Sequence, residues 1–422
     1  MTKPLLEVRD LNVHFSVYSG FVQRLLGGGD AKVHAVDGVT FSIAEGEVFG
    51  LVGESGCGKT TIAKTLVGLV RATSGQILFR GEEVTQPDSK TLFRLRERIQ
   101  LIYQDAHAAL SPAMTVGEAV ADVLRTHGLP TERGERTRAK SEAATREAVY
   151  HIFDDVGLRP PSFYYDKYPD ELSGGQKQRV VAGRVLALRP QLIVADEPVA
   201  MLDMSVRARM LEFLMELKAK YHLTYLFITH DLATAKFMCD RIGIMYLGRI
   251  VEMGSARTIY ASPKHPYTKA LLQAIPIPDP ERRTVKVLPR GEVPNAVWPP
   301  AGCRFHPRCP VALATCGWEG RDVIALLEER WLSPELAKRE ALAGPVEEWE
   351  AQGLMAGRDV GKADPALVQV LIQRIVQETG GPLADAIRGI YVDGSTVVVE
   401  FRPPNPLVPK EIEGRVVDCL LY

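Results

Sequence analysis

The sequence predicts an α/β fold on a largely parallel sheet, followed beyond residue 262 by a small α+β, cysteine-containing C-terminal domain. Short β-rich apolar runs at Val48 to Val52, Ile99 to Tyr103, Leu192 to Ala195 and Tyr225 to Thr229 alternate with helical stretches, as in a sheet covered by crossover helices. Prolines then crowd the chain at Pro263, Pro266, Pro276, Pro278, Pro280, Pro294, Pro299 and Pro300, too densely for helix or sheet interiors, which sets a boundary near residue 262. Cys303, Cys309 and Cys316 bunch just after those prolines.

A chain of 422 residues, 46% hydrophobic, is long enough for two or three units rather than one core. Its 51 basic and 52 acidic side chains leave a formal charge of -1. No global field therefore draws it onto nucleic acid or anionic lipid, and no nucleic-acid partner is expected. The opening MTKPLLEVRDLNVHF has no basic segment followed by an apolar one, and no run approaches ~18 apolar residues, so neither secretion nor membrane crossing is expected. Cytosolic thiols stay reduced, so clustered cysteines are read first as metal ligands. No internal repeat is evident.

Taken in order, Gly27 to Asp30 reads as a surface loop and Thr131 to Ala144 as a charged, solvated stretch with helix-forming residues. In the tail, Ser333-Pro334-Glu335 is a helix start and Pro365 to Glu378 has apolar residues at helical spacing. Ile390 to Phe401 alternates around Asp393-Gly394 as a hairpin does, so the tail is expected to be folded.

The chemistry is concentrated in three places. Gly53-Glu54-Ser55-Gly56-Cys57-Gly58-Lys59-Thr60-Thr61 follows an apolar run and precedes an apolar-periodic helix, the context a P-loop requires. Its glycines let backbone N–H groups wrap a phosphate chain at a helix N-terminus, while Lys59 reaches the β and γ phosphates of ATP and the Thr60 hydroxyl binds magnesium. A second apolar strand ends in Asp196-Glu197. Alone such a pair is as readily a helix cap; beside a P-loop, Asp196 serves the metal and Glu197 orients the attacking water. Leu172-Ser173-Gly174-Gly175-Gln176 opens another helix, Lys177 to Leu188, as a second phosphate-facing terminus, a weak signal by itself.

Together these motifs resemble the ABC ATPase family, a P-loop NTPase fold with a mixed sheet core and a helical subdomain carrying the signature, here about residues 105–180 of a domain spanning 1–262. One such cassette is present. By the resemblance, Gln104 is the glutamine-loop residue that senses magnesium and the membrane partner, His230 the γ-phosphate switch and Asp203 the D-loop acid. Phe15 occupies the place of the aromatic that stacks on adenine; a plain core Phe is the alternative, and Tyr18 a second candidate. The family closes head to tail, so Ser173, Gly174, Gly175 and Gln176 would serve the nucleotide of the opposite subunit. Two departures stand out: Val199-Ala200-Met201-Leu202-Asp203 where relatives carry S-A-L-D, and Ala182-Gly183-Arg184 where they carry I-A-R.

Pro263 to Leu272, containing His265-Pro266-Tyr267-Thr268, and Gly302-Cys303-Arg304-Phe305-His306-Pro307-Arg308-Cys309-Pro310 resemble the elements that follow the ATPase core in oligopeptide and dipeptide importers. Leu5-Leu6-Glu7-Val8 and the long insertion before Val33 resemble the second of their two motor subunits. The resemblance implies a heterodimer with a different ATPase, two transmembrane permease subunits, an extracytoplasmic solute-binding protein and a peripheral position on the cytoplasmic membrane face. Relatives of this branch also carry nickel, glutathione or oligosaccharides. A soluble ABC protein of repair or translation would carry a second cassette or a coiled-coil insertion, a regulatory subunit would lack Glu197 or His230, and exporters lack the two tail elements.

The same resemblance implies four cysteines, Cys303, Cys309, Cys316 and Cys419, holding a four-iron, four-sulfur (4Fe-4S) cluster. By softness four thiolates suit zinc or an iron–sulfur cluster equally, the x5 and x6 spacings are wider than the C-x2-C pairs of structural zinc, and reduced unligated thiols are a further alternative. Between Cys316 and Cys419 lie 102 residues (419 − 316 − 1), so the stretch from 320 to about 410 reads as an inserted α+β subdomain, with 263–319 the extension and 411–422 returning Cys419. Cys57 and Cys239 are read as unligated structural thiols.

Overall fold

The computed structural model describes residues 3–17, 31–105, 109–130, 136–137, 141–275, 289 and 291–422. Gly27 to Asp30, Tyr18, Pro276, Pro278, Pro280 and most of Thr131 to Ala144 lie outside the described residues. The chain divides into two compact units, Met1–Ser262 and Pro263–Tyr422.

In the first unit the strands Arg249–Ser255, Arg241–Tyr246, Val48–Val52, Thr224–Thr229, Leu192–Asp196 and Ile99–Ile102 lie side by side in that order. All neighbours are parallel except the first pair, which is antiparallel. Every residue of Val48–Val52, Leu192–Asp196 and Thr224–Thr229 is buried, which explains their unbroken apolar character: a parallel sheet is covered on both faces. A second, antiparallel sheet orders Lys32–Ile43, Leu6–Ser16, Ser74–Phe79 and Glu82–Glu83. Residues of both sheets, among them Leu11, Val39, Phe41, Phe49 and Leu51, share one core cluster, in which the Phe41 and Phe49 rings stack at 5.1 Å.

The helices Val116–His127, Glu142–Asp155, Pro161–Tyr165 and Gly174–Leu186 form the helical part of this unit. Thr115 caps the first and Ser141 the second, each accepting a backbone N–H three residues on, at 3.2 Å. The last begins at Gly174, three residues before the Lys177 expected from the sequence, because Ser173 and Gln176 form a capping box that draws both glycines into its first turn.

The second unit has its own core. Strands Glu350–Gln352, Met355–Asp359, Thr396–Phe401 and Ile387–Asp393 form a fully antiparallel sheet in that order. Val397, Val399 and Phe401 pack with Val323 and Leu327 of helix Gly320–Trp331 and with Val368, Ile372 and Ile375 of helix Pro365–Thr379. Ser333 precedes helix Pro334–Arg339, with Pro at its first turn. The hairpin expected around Asp393-Gly394 turns one residue later. Asp393 still pairs with Thr396, leaving Gly394-Ser395 as the two-residue loop, with Gly394 at φ 61° where a primed turn needs a positive value. Beneath this sheet Glu340, fully buried, receives both arms of Arg330 at 2.7 to 3.1 Å, Arg339 at 2.9 Å and the Trp331 indole at 3.0 Å. Hydrogen bonding from Arg330 above all, partly opposed by burial, holds its carboxyl down at about 2.

Candidate functional site

The P-loop runs from the end of strand Val48–Val52 to helix Lys59–Leu66. Two of its glycines have no substitute. A Cβ on Gly53 would collide with the Met245 carbonyl, and one on Gly58, at φ 107°, with the Ala35 carbonyl. Lys59 is almost fully buried and folds onto the loop, donating to the carbonyls of Gly53 at 2.8 Å and Glu54 at 2.9 Å. Cys57 is buried beside it, and burial pushes its thiol up despite the Lys59 charge. Glu54, Ser55, Gly56 and Thr61 complete the loop and the start of the helix, with Thr60 on the helix's first turn.

Thr60 donates to Asp196 at 3.3 Å, joining the P-loop helix to the end of strand Leu192–Asp196. Burial pushes the Asp196 carboxyl up, and the neighbouring Glu197 adds to this. Glu197 itself sits at φ 49°, a left-handed conformation that a residue with a Cβ adopts only under constraint. Here its N–H donates to the Ile228 carbonyl on the adjacent strand at 2.9 Å. Its two carboxylate oxygens face different partners: Gln104 donates to one at 3.3 Å, and His230 Nδ1 lies 3.0 Å from the other. Gln104, Glu197 and His230 come from the ends of three neighbouring parallel strands, so the sheet sets their spacing. Phe15 lies near the end of the long strand Leu6–Ser16 and is 42% exposed, available to a planar ligand.

Ser173, Gly174, Gly175 and Gln176 lie elsewhere. They line a groove of about 390 Å³ with Met201, Leu202 and Asp203, and no P-loop residue borders it. Asp203 caps helix Met204–Tyr221, accepting from the N–H groups of Ser205 and Val206 at 3.1 and 3.0 Å, and these bonds hold its carboxyl low. Met201 and Met204 beside it are 70% and 86% exposed. Two contacts of this segment were not read from the sequence: Gln176 donates to the Tyr164 hydroxyl at 3.3 Å and Gln178 to the Pro198 carbonyl at 2.7 Å. Neither partner belongs to a motif, so only the fold pairs them.

In the second unit His265 is wholly buried and caps helix Pro266–Ala274, its Nδ1 accepting the Tyr267 N–H at 3.1 Å. Burial drives its imidazole down to about 3. Tyr267 packs on Phe305 at 5.3 Å, tying the two tail elements together. Cys303 donates its N–H to the Cys316 carbonyl at 2.9 Å. Burial pushes all four tail thiols up, Cys303 to about 12 and Cys309 to about 11, and Cys303 feels the charges of the other three. Each sulfur also accepts a backbone N–H, from Phe305, Val311, Leu313 and Leu421 respectively.

A glycine-rich loop with a buried lysine, two strand-end carboxylates and a flanking glutamine and histidine are the parts of a nucleoside triphosphatase of the ABC class. The ABC transporter family model matches residues 36–200, and the model of the oligopeptide/dipeptide transporter C-terminal region matches residues 251–316. The chain is 43% identical to the oligopeptide transport ATP-binding protein OppF of Escherichia coli over 317 residues, 74% of this chain and 91% of OppF. It is 42% identical over 316 residues to AppF of Bacillus subtilis, another oligopeptide transport ATP-binding protein, with the same 74% and 91% coverage. Among solved structures, cbiO1 of Clostridium perfringens, part of the ABC transporter complex cbiONQ, matches at TM-score 0.50 and 27% identity, over 62% of this chain and 92% of that one. The chain belongs to the ATP-binding proteins of ABC transporters, in the oligopeptide/dipeptide transport family.

Proposed function

We propose that the chain is the ATP-hydrolysing motor of a peptide importer, acting as a peripheral subunit on the cytoplasmic face of the cell membrane. The observation that carries this is the convergence of Gln104 and His230 on the two oxygens of Glu197, within a chain that covers 91% of OppF and AppF. ATP's phosphates displace the Gly53 and Glu54 carbonyls as partners of Lys59 and meet the N-terminus of helix Lys59–Leu66. Thr60, Asp196 and Gln104 would hold a magnesium ion, which neutralises phosphate charge. Glu197 accepts a proton from the attacking water, and His230 holds that carboxylate and the γ-phosphate in line. Phe15 stacks on the adenine.

The groove joining the signature to Asp203 is the surface for a second, different ATPase subunit. Its exposed methionines are what such a subunit covers, and Ser173 with the Gly174, Gly175 and Gln176 amides then faces the other subunit's nucleotide. A separate cleft of about 450 Å³, lined by Leu69, Phe93, Tyr103 and Val181, adjoins Gln104 and suits an apolar segment of either of two permeases. No helix among the described residues is long and apolar enough to cross a membrane. A solute-binding protein outside the membrane delivers the peptide. Tagged full-length chain expressed in cells with its cognate permeases should retain them on a column, and Phe93→Glu should lose them while still binding ATP. Retention of no integral membrane protein would count against the importer reading.

The tail is assigned as an extension over 263–319, an inserted subdomain over 320–410 and a last segment that brings Cys419 to the other thiols. The donor set fits an iron–sulfur cluster: four sulfurs that interact electrostatically, each with its own N–H donor. Among the described residues no three of these sulfurs lie mutually within 4.8 Å, wider than the ~3.8 Å that four thiolates adopt around one zinc with 2.3 Å bonds. Cys303, Cys309, Cys316 and Cys419 would hold the 4Fe-4S cluster. About four irons and four acid-labile sulfides per chain are expected in anaerobically purified protein, diminished in Cys419→Ser. Metal-free wild-type protein would remove this part of the reading and leave the ATPase part standing.

A further inference from the structure

The strand pair that carries Phe15 holds a second cluster of ligating groups, which none of the nucleotide chemistry uses. His14 and His34 are directly opposed across strands Leu6–Ser16 and Lys32–Ile43, and their rings lie 4.2 Å apart. The pairing slips between Val13 and His14, placing an extra residue in the Lys32–Ile43 strand. Such a bulge breaks the simple alternation of faces, so that Asp37, three residues after His34, turns to the same side. His14 Nε2 is 3.1 Å from Asp37 Oδ1, and His34 Nδ1 is 3.8 Å from the same oxygen. The ligand atoms of all three residues lie within 4.8 Å of one another, the only such trio of His, Cys, Asp or Glu among the described residues.

We propose that His14, His34 and Asp37 bind a divalent metal ion of the zinc, nickel or cobalt type, distinct from the magnesium of the nucleotide. Three ligands at about 2.0 to 2.1 Å in tetrahedral array stand about 3.3 Å apart, and the observed 3.1 and 3.8 Å bracket that spacing. Two imidazoles with one carboxylate oxygen select a borderline metal over magnesium or calcium, which prefer all-oxygen shells. Arg249 lies 3.7 Å from Oδ2, the carboxylate oxygen turned away from the imidazoles, and so holds the ligand oxygen in place. The Asp37 N–H is fixed by the Gly248 carbonyl at 2.9 Å. The three side chains are 18 to 32% exposed, so an ion can enter from solvent and a water can complete its shell. A bound ion cross-links the strand bearing Phe15 to the strand whose Ala35 carbonyl abuts the P-loop at Gly58.

The test is a titration of chelator-treated, full-length protein with Zn2+ alone, read by the nitrogen and proton resonances of the nine imidazoles. Two resonances, assigned by their loss in His14→Gln and His34→Gln, should shift together with the first equivalents of metal, in wild-type protein and equally in Cys419→Ser. By calorimetry His34→Gln and Asp37→Asn should each weaken this binding by about tenfold or more, with circular dichroism showing that each variant is folded. Unmoved His14 and His34 resonances in the wild-type spectrum would overturn the proposal. So would wild-type affinity in both His34→Gln and Asp37→Asn.

Discussion

The two units of this chain hold their polar chemistry in opposite ways. In Met1–Ser262 the groups proposed to meet the nucleotide include Asp196, Glu197 and His230, set at strand ends by the spacing of a buried parallel sheet, and Lys59, which opens the helix after Val48–Val52. Their partners lie within the same site: Lys59 donates to the Gly53 and Glu54 carbonyls, and Glu197 meets Gln104 at 3.3 Å and His230 at 3.0 Å. In Pro263–Tyr422 the comparable groups are locked. Glu340 is saturated by two arginines and an indole, and His265 is sealed as a helix cap. Glu340 thus has its acceptor capacity filled by side chains of its own unit, whereas Lys59 and Glu197 are held by partners that a nucleotide could exchange.

Three measurements sharpen that contrast. The largest effect is expected at Glu340, where Glu340→Ala removes the buried acceptor shared by Arg330, Arg339 and the Trp331 indole and leaves both arginines only the exposed Glu378. Breaking such a pair costs about 3 kcal/mol or more, so denaturant unfolding of the second unit should shift to markedly lower midpoint while ATP binding persists. A smaller loss is expected from Phe15→Ala, which removes an exposed ring from the strand end. Nucleotide affinity should fall by ~1 to 3 kcal/mol with no change in melting behaviour, measurable by fluorescent-nucleotide titration. The smallest at neutral pH, growing only on acidification, follows from His265. Its imidazole titrates near 3 when folded against an ordinary value of 6.5, so the unfolded chain takes up the proton first as pH falls. That contribution is complete above pH 6.5 and declines continuously toward pH 3, and His265→Asn, which retains a cap, should flatten the decline seen in thermal melts between those limits.

The sequence made the first unit readable because its chemistry is contiguous. The P-loop from Gly53 to Thr61 and the pair Asp196-Glu197 announce themselves within a few residues, and their flanking apolar runs fix the strands. What could not be read is pairing between elements. The opposition of His14 and His34 depends on strand register and a bulge, and the Gln176 bond to Tyr164 depends on how two helices meet. The same limit holds in the tail, where the hairpin was visible but its turn was placed one residue early, because Asp393-Gly394 and Gly394-Ser395 are both good turn pairs. The strands Glu350–Gln352 and Met355–Asp359 that complete the sheet, and the Arg330–Glu340 lock, came from short polar or charged runs with no apolar alternation to mark them.

Glu197 is proposed as the hydrolytic carboxylate, the role on which ATP turnover by this chain depends. Turnover of labelled ATP by full-length wild-type protein and Glu197→Gln, with bound ATP counted in parallel, tests it directly. Glu197→Gln should keep ATP affinity and lose turnover by ~10² to 10⁴, the range for removing a general base. Undiminished hydrolysis in a variant that still binds ATP would contradict the assignment and require another base at this site.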